Sequence, residues 1–471
     1  MRNGEPVSSS FTHLGTVMAV PSTSHTALLT GVRALLTCDS GEVVQGILEF
    51  VLSQRRWVRP LRRALGGAET TPFATVLMLV NALRCYSGIS TAGHGDAIVA
   101  ARRPNEHRAV AELTRMLPDR RWTEVVFRWR LVTVAAALAR LAPTIVRDGR
   151  RTARLARRVR RRSGVFAALR VLELLAYYRR YLELFASRHP RLAVMSSHSN
   201  PHGIALNLVA HRVGVPVALI THGMPVSPIA RLDYDLAIVE CEASRLVYAN
   251  AGCRMGTVAI KSRALDHAPM RTPFRTHGLT VGLFLSKDPA EGQVMSCLRA
   301  LLGDRRIAKI LVRPHPVNLW RGLGRRIGSL DASRVQLRSS ALLADDLAPC
   351  DLVVAGNSTV LLDSLVAGRP AGYVRGFDHG PYDVQSFVRD GLVYELTGFR
   401  PIDYDAVAGF YARPEWPRIL RQYADVNRDE QAVASEVRAA INLLTVAAPG
   451  WHHSSERGVV DGRPVAGAST R

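Results

Sequence analysis

The chain has 471 residues, which at about 150 per domain leads us to expect two or three domains. Hydrophobic residues make up 47% and charged residues 21%, which excludes a mainly disordered chain and leaves ample material for a core. The formal net charge is +23, but all except three of the 62 basic residues are arginine, a skew that reads as coding bias and weakens any function argued from charge alone.

The six cysteines form no CxxC pair, which speaks against a disulfide scaffold or zinc site and predicts a reducing, cytoplasmic compartment. The first fifteen residues hold no apolar core of the signal-peptide kind. The longest apolar stretch, 131–146, is broken by Arg140 and Pro143, so no bilayer span is expected.

In chain order, GTVMAV (15–20) reads as a strand before the helical ALLTGVRALL. DAIVAA and WTEVVF read as further strands around helical HRAVAELTRML. From Arg120 to Arg162 there are 14 arginines against Glu124 and Asp148, a local excess of +12. This stretch is expected to be an Arg-rich helical insertion, about 120–187. It is a solvated face, a patch for an anionic membrane surface or, through phosphate attraction, a nucleic-acid contact. Nucleic acid is not the expected partner, because no recognition motif accompanies the charge.

From Arg191 onward, the strand-like LAVMSS, PVALITHG, DLAIVE and GTVAIK alternate with helical GIALNLVAHRVG and SRLVYANAG. A second series runs from GLTVGLFLS to PAGYV. Alternation of this kind predicts an α/β fold of two Rossmann-like doubly wound domains facing a central cleft. The expected boundaries are 1–263, a linker at 264–278, a second domain at 279–446 and a disordered tail at 447–471. Ligands of such sheets sit at the carboxyl ends of strands.

Four strand ends are polar. The first, SSHSN, offers Ser197, His198 and Asn200 as cleft residues or, more plainly, as caps of the next helix. The second, THGMP, places His222 where it can act as a general base, with Gly223 letting the backbone approach a ligand. The third, RPHP, holds His315 between prolines as a rigid phosphate donor beside the planar cation of Arg313. The fourth, GNST, puts Asn357, Ser358 and Thr359 at a helix start that can bind an anion or simply cap the helix. Together they describe a transferase acting on a nucleotide-activated donor. No cofactor and no metal are expected, since no Asp-x-Asp follows a strand.

THGMP, RPHP and GNSTVLLDSLVAGRP resemble segments of bacterial capsule and teichoic-acid polymerases of the glycosyltransferase-B fold. That group includes the CDP-glycerol glycerophosphotransferases and the capsular polysaccharide and polysialic-acid transferases. The resemblance spans about 191–393 and implies that His222 is the base, while Arg313, His315, Ser358 and Thr359 hold donor phosphate. It also implies a CMP- or CDP-linked donor and a glycan or lipid-linked acceptor at the inner face of the cell membrane. Where relatives using UDP- or GDP-sugars carry a ribose-binding Glu, this chain has Asp363. The acidic Asp/Glu-Asp/Glu-Gly base motif of sialyltransferase relatives is missing, which leaves His222 as the base. The alternatives are a nucleotide-sugar 2-epimerase of the same fold and a non-enzymatic binder of anionic surfaces or nucleic acid.

Overall fold

Alternate residues of a strand face opposite sides of its sheet, and several strands here are apolar on both. In β2 (Ala97–Ala100), Ile98 and Ala100 enter one core while Ala97 and Val99 enter another. Strands of this kind need cover on both faces, the condition under which parallel sheets form.

The computed structural model describes residues 85–127, 169–226, 229–261, 274–315, 321–340, 342–396, 401–424 and 429–447, with single positions 82, 154, 157, 270 and 272. The first sheet contains β1 (Ile89–Ala92), β2, β3 (Trp122–Phe127), β4 (Leu192–Met195), β5 (Val217–Ile220), β6 (Tyr234–Val239) and β7 (Met255–Ile260). Its order is β1-β3-β2-β4-β5-β6-β7, parallel throughout except that β1 runs antiparallel to β3. The second sheet contains β8 (Leu279–Phe284), β9 (Ile307–Arg313), β10 (Val335–Leu337), β11 (Leu352–Ala355), β12 (Ala371–Val374) and β13 (Tyr394–Leu396). All its pairs are parallel, in the order β10-β9-β8-β11-β12-β13. Counted within the unit that order is 3-2-1-4-5-6, the doubly wound arrangement with its switch point between β8 and β11. The first sheet reverses between β2 and β4.

Among the described residues, eleven helices of five residues or more complete the layers. They are α1 (Pro104–Met116), α2 (169–188), α3 (Pro201–Arg212), α4 (Glu242–Asn250), α5 (Glu291–Gly303), α6 (Arg321–Gly328), α7 (Leu343–Leu347), α8 (Val360–Val366), α9 (Tyr404–Tyr411), α10 (Trp416–Tyr423) and α11 (Glu430–Ala447). In α1, Pro104 sits where its missing N–H costs nothing, and Ala109, Val110, Leu113 and Met116 form a buried stripe. Helices α2, α3 and α4 cover the opposite face of the first sheet.

The last helix changes the expected domain plan. Residues up to 446 were expected with the second domain, but α11 packs on the first sheet beside α1. Its Val433, Val437, Ala440 and Ile441 repeat at helical spacing and share a core with β2, β4, β5 and β6. Arg191 donates to the Thr445 carbonyl at 2.6 Å, and Arg438 to the Met116 carbonyl at 3.1 Å. The two units also share packing, because Met224, Cys241 and Ala243 belong to the same apolar cluster as the second sheet.

The expected fold class, doubly wound α/β units with parallel sheets, is the one observed. The strand at 15–20, the helix after it, most of the linker and the tail lie outside the described residues. So does most of the arginine-rich insertion; of 128–168 only 154 and 157 are described, both helical. Arg120, at its start, is not part of a solvated basic face. It donates to Thr445 Oγ1 at 3.1 Å, pairs with Asp96 at 3.7 Å, and its side chain is only 14% exposed.

Candidate functional site

Both switch points gather polar side chains at the carboxyl ends of their strands. At the first, β2 runs into Arg102 and Arg103 before α1, and β4 runs into the Ser196–Asn200 turn before α3. Asn200 holds the N-cap position of α3, but its side chain makes no capping bond. Its amide instead donates to Ser197 Oγ at 2.6 Å and to Glu106 Oε1 at 3.0 Å, and its oxygen accepts from Arg103 at 3.1 Å. The plain capping reading of this turn therefore does not hold for Asn200. Glu106 is fully buried, and its other oxygen accepts from the amides of Arg102 and Arg103 at 2.7 and 3.3 Å. Gly203 makes the close approach possible: a Cβ there would stand 1.9 Å from the Ser197 carbonyl.

His222 follows β5 and is exposed, while Thr221 before it is buried. Its Nδ1 lies 2.8 Å from the Ser196 carbonyl, an oxygen that can only accept, so Nδ1 carries the proton. In the neutral ring Nε2 therefore holds the lone pair that a general base needs. Burial of part of the ring lowers the His222 pKa; the bond to Ser196 and the carboxylates of Glu106 and Glu240 oppose this, and Arg103 adds to it. Gly223 takes φ +157°, a conformation that side chains disfavour, so the chain turns away directly after the histidine. His198, on the same turn as Ser197, lies with Nδ1 2.7 Å from the hydroxyl of buried Tyr248. Burial, and secondarily His222, hold its pKa down at about 4, so it is neutral and leans on Tyr248.

The second switch point departs from expectation at two residues. Arg313 was expected to face phosphate, but its guanidinium bonds to Asp346, a fully buried carboxylate that also accepts from Arg338 at 3.2 Å and Ser340 at 2.5 Å. A buried acid must be paired, and that need has claimed the arginine. Asn357 was expected at an anion site, but it ties down the loop after β12. Its amide nitrogen donates to Asp378 Oδ1 and the Pro381 carbonyl at 2.8 Å each, and its oxygen accepts from Val384 N at 3.0 Å. Its backbone N–H is taken by Asp378 Oδ2 at 2.6 Å.

Ser358 and Thr359 are half-buried at the start of α8, and Ser358 Oγ accepts from Val360 N at 3.3 Å. Since α8 runs seven residues, what these two offer is a pair of hydroxyls more than a helix dipole. Asp363 lies half-buried one turn into α8. His315, two residues past β9, has its pKa lowered to about 4, first by burial and then by the Lys287 ammonium. It is a neutral hydrogen-bonding group at pH 7, not a cation.

Several residues at these strand ends had not been anticipated. Glu106 could have been found as the acidic residue in the first turn after Pro104. Lys261 and Lys287 are two of only three lysines; Lys261 directly follows β7 and Lys287 lies three residues past β8. Ser286, just past β8, is buried with its hydroxyl unpartnered.

No family model matches the chain, and no curated protein does. Among solved structures, the calicheamicin glycosyltransferase CalG4 shares 16% identity at a TM-score of 0.45, over 74% of this chain and 98% of its own. The S. aureus MnaA–UDP co-structure shares 11% identity at a TM-score of 0.44, over 75% and 98%. The Methanocaldococcus jannaschii UDP-GlcNAc 2-epimerase, in complex with UDP-GlcNAc and UDP, shares 11% at 0.41, over 74% and 99%. All three lie below a TM-score of 0.5, so the fold assignment rests on the strand orders given above.

Proposed function

We propose that this protein transfers a sugar or alditol-phosphate from a nucleotide-activated donor to a glycan or lipid-linked acceptor, with His222 as general base. The observation that carries this is the Nδ1–H bond to the Ser196 carbonyl, which fixes the tautomer and leaves Nε2 basic at a strand end near the first switch point. In the reaction the acceptor hydroxyl gives its proton to Nε2 as its oxygen attacks the donor. The bond to the departing nucleotide phosphate breaks, and its electron pair leaves on that phosphate. Lys287, His315, Ser358 and Thr359 are the groups at the second switch point suited to hold it. Cell-envelope polysaccharide synthesis and a cytidine nucleotide as carrier follow from the resemblance of the three motifs.

An epimerase needs carboxylates able to take and return a proton. Of the two beside His222, Glu106 is sealed in and accepts from three N–H donors. Glu240 is paired with Lys261 at 3.3 Å. Both are committed, which favours transfer over epimerisation.

His222→Ala should lower turnover by about 10²–10⁴-fold while leaving donor affinity nearly unchanged. Thermal shifts with CMP, CDP, UDP, GDP and a short duplex identify the ligand class. Tighter binding of UDP or GDP than of CMP and CDP overturns the cytidine assignment. Stabilisation by duplex alone, lost with salt, overturns the transferase.

A further inference from the structure

We propose that Lys261 is a positioning residue for His222: its ammonium locks the carbonyl of the preceding residue and shields the site from the Glu240 carboxylate. The inference rests on His222 being the base, and deepens that assignment.

Lys261 directly follows β7 and is 5% exposed. Its Nζ lies 2.6 Å from the Thr221 carbonyl, 3.0 Å from Glu112 Oε2 and 3.3 Å from Glu240 Oε1. Those three oxygens come from the end of β5, from α1 and from the end of β6. An ammonium has three N–H groups around one centre, and here each has an oxygen to meet. A planar guanidinium spreads its donors in a fork and cannot converge on one point in this way. In a chain that uses arginine at all but three of 62 basic positions, the lysine falls where that geometry is required.

Two consequences reach His222. The first is geometric. Thr221 N bonds to the Ile238 carbonyl at 2.9 Å and Lys261 N to the Val239 carbonyl at 2.7 Å, so the ends of β5, β6 and β7 are stapled by backbone. The Thr221 carbonyl, left over at the strand end, is taken by the ammonium. Beyond His222 the chain turns at Gly223, so the anchored side of the histidine is the side that Lys261 holds.

The second consequence is electrostatic. His222 faces the Ser196 carbonyl and hydroxyl and His198 from the turn after β4, Glu106 and Arg103 at the start of α1, and Glu240 at the end of β6. Both carboxylates favour a protonated imidazole, which cannot act as a base. Pairing Glu240 with Lys261 offsets one of them, and Arg103 works in the same sense.

The test is the titration of His222 by NMR in the substrate-free full chain, with the His222→Ala spectrum assigning the signal. In Lys261→Met the midpoint should rise by about one pH unit, the lower end for an uncompensated charge nearby. In Lys261→Met/Glu240→Gln it should return close to that of the parent. A folded Lys261→Met with an unchanged midpoint overturns the proposal. If that variant does not fold, Glu240→Gln alone decides: its midpoint should fall below the parent's, and an unchanged one overturns the proposal. No substrate enters this measurement, so its failure is separate from failure of the transferase assignment, which the turnover of His222→Ala decides.

Discussion

Burial lowers the pKa of both His222 and His202, with a consequence for activity in one and for stability in the other. His222 is held largely neutral, and a base must be neutral to work. Turnover should therefore rise with pH through a midpoint below the ordinary 6.5 and stay flat above it, which a pH–rate profile will show. His202 is 1% exposed beside Phe127, at 5.1 Å between ring centroids, with neither ring nitrogen hydrogen-bonded. Burial lowers its pKa to about 4, against the opposing pull of Glu106. Between pH 6.5 and 4 the unfolded chain holds the extra proton and the native one does not. Stability is thus fully present above 6.5 and falls as pH drops, by up to about 3 kcal/mol. His202→Phe should flatten that slope. Urea midpoints at pH 7 and pH 4.5 check this, and an unchanged slope counts against it.

Among the elements, the loop after β12 depends on one residue of the turn after β11. Asn357→Ala deletes three side-chain hydrogen bonds, two to loop backbone and one to the buried carboxylate of Asp378. A loss on the order of 3 kcal/mol is expected in the urea midpoint. Arg313→Ala should likewise cost about 1.5–3 kcal/mol, because Asp346 loses a charged partner inside the core. Were Arg313 instead a phosphate ligand, the variant would weaken nucleotide binding and leave stability nearly intact. GNST and RPHP were legible as strand ends because apolar runs stop there, but side-chain roles were not. What Asn357 and Arg313 do depends on Asp378 and Asp346, which are 21 and 33 residues further along the chain.

For the whole molecule, α11 joins the chain's end to its first sheet. Ile441→Ala should cost about 2–5 kcal/mol by opening a cavity between α11 and the first sheet. If α11 docked elsewhere, that loss would not appear in the urea midpoint. The arginine-rich stretch is tested by flotation with vesicles. A membrane patch would bind anionic vesicles and release them near 1 M salt, where the Debye length is about 3 Å, whereas a solvated face would not float. Arg120→Ala should leave flotation unchanged, since Arg120 is bound to Asp96 and Thr445.

The sequence by itself determined the layers. Strand-length apolar runs alternating with helical stripes gave the parallel sheets. EGQVMSCLRALLG and WTEVVF matched α5 and β3 residue for residue. The breaks after PVALI and AKILV marked His222 and His315 as strand-end residues. Local pattern suffices there because periodicity and turn chemistry act within a few residues. The tertiary structure alone decided which polar groups stay available. Short strands such as β13, the antiparallel β1, the return of α11 and the pairing of Lys261 with Glu112, 149 residues away, all depend on contacts between distant segments. A buried charge must find its partner across space, and neither composition nor spacing records where that partner lies.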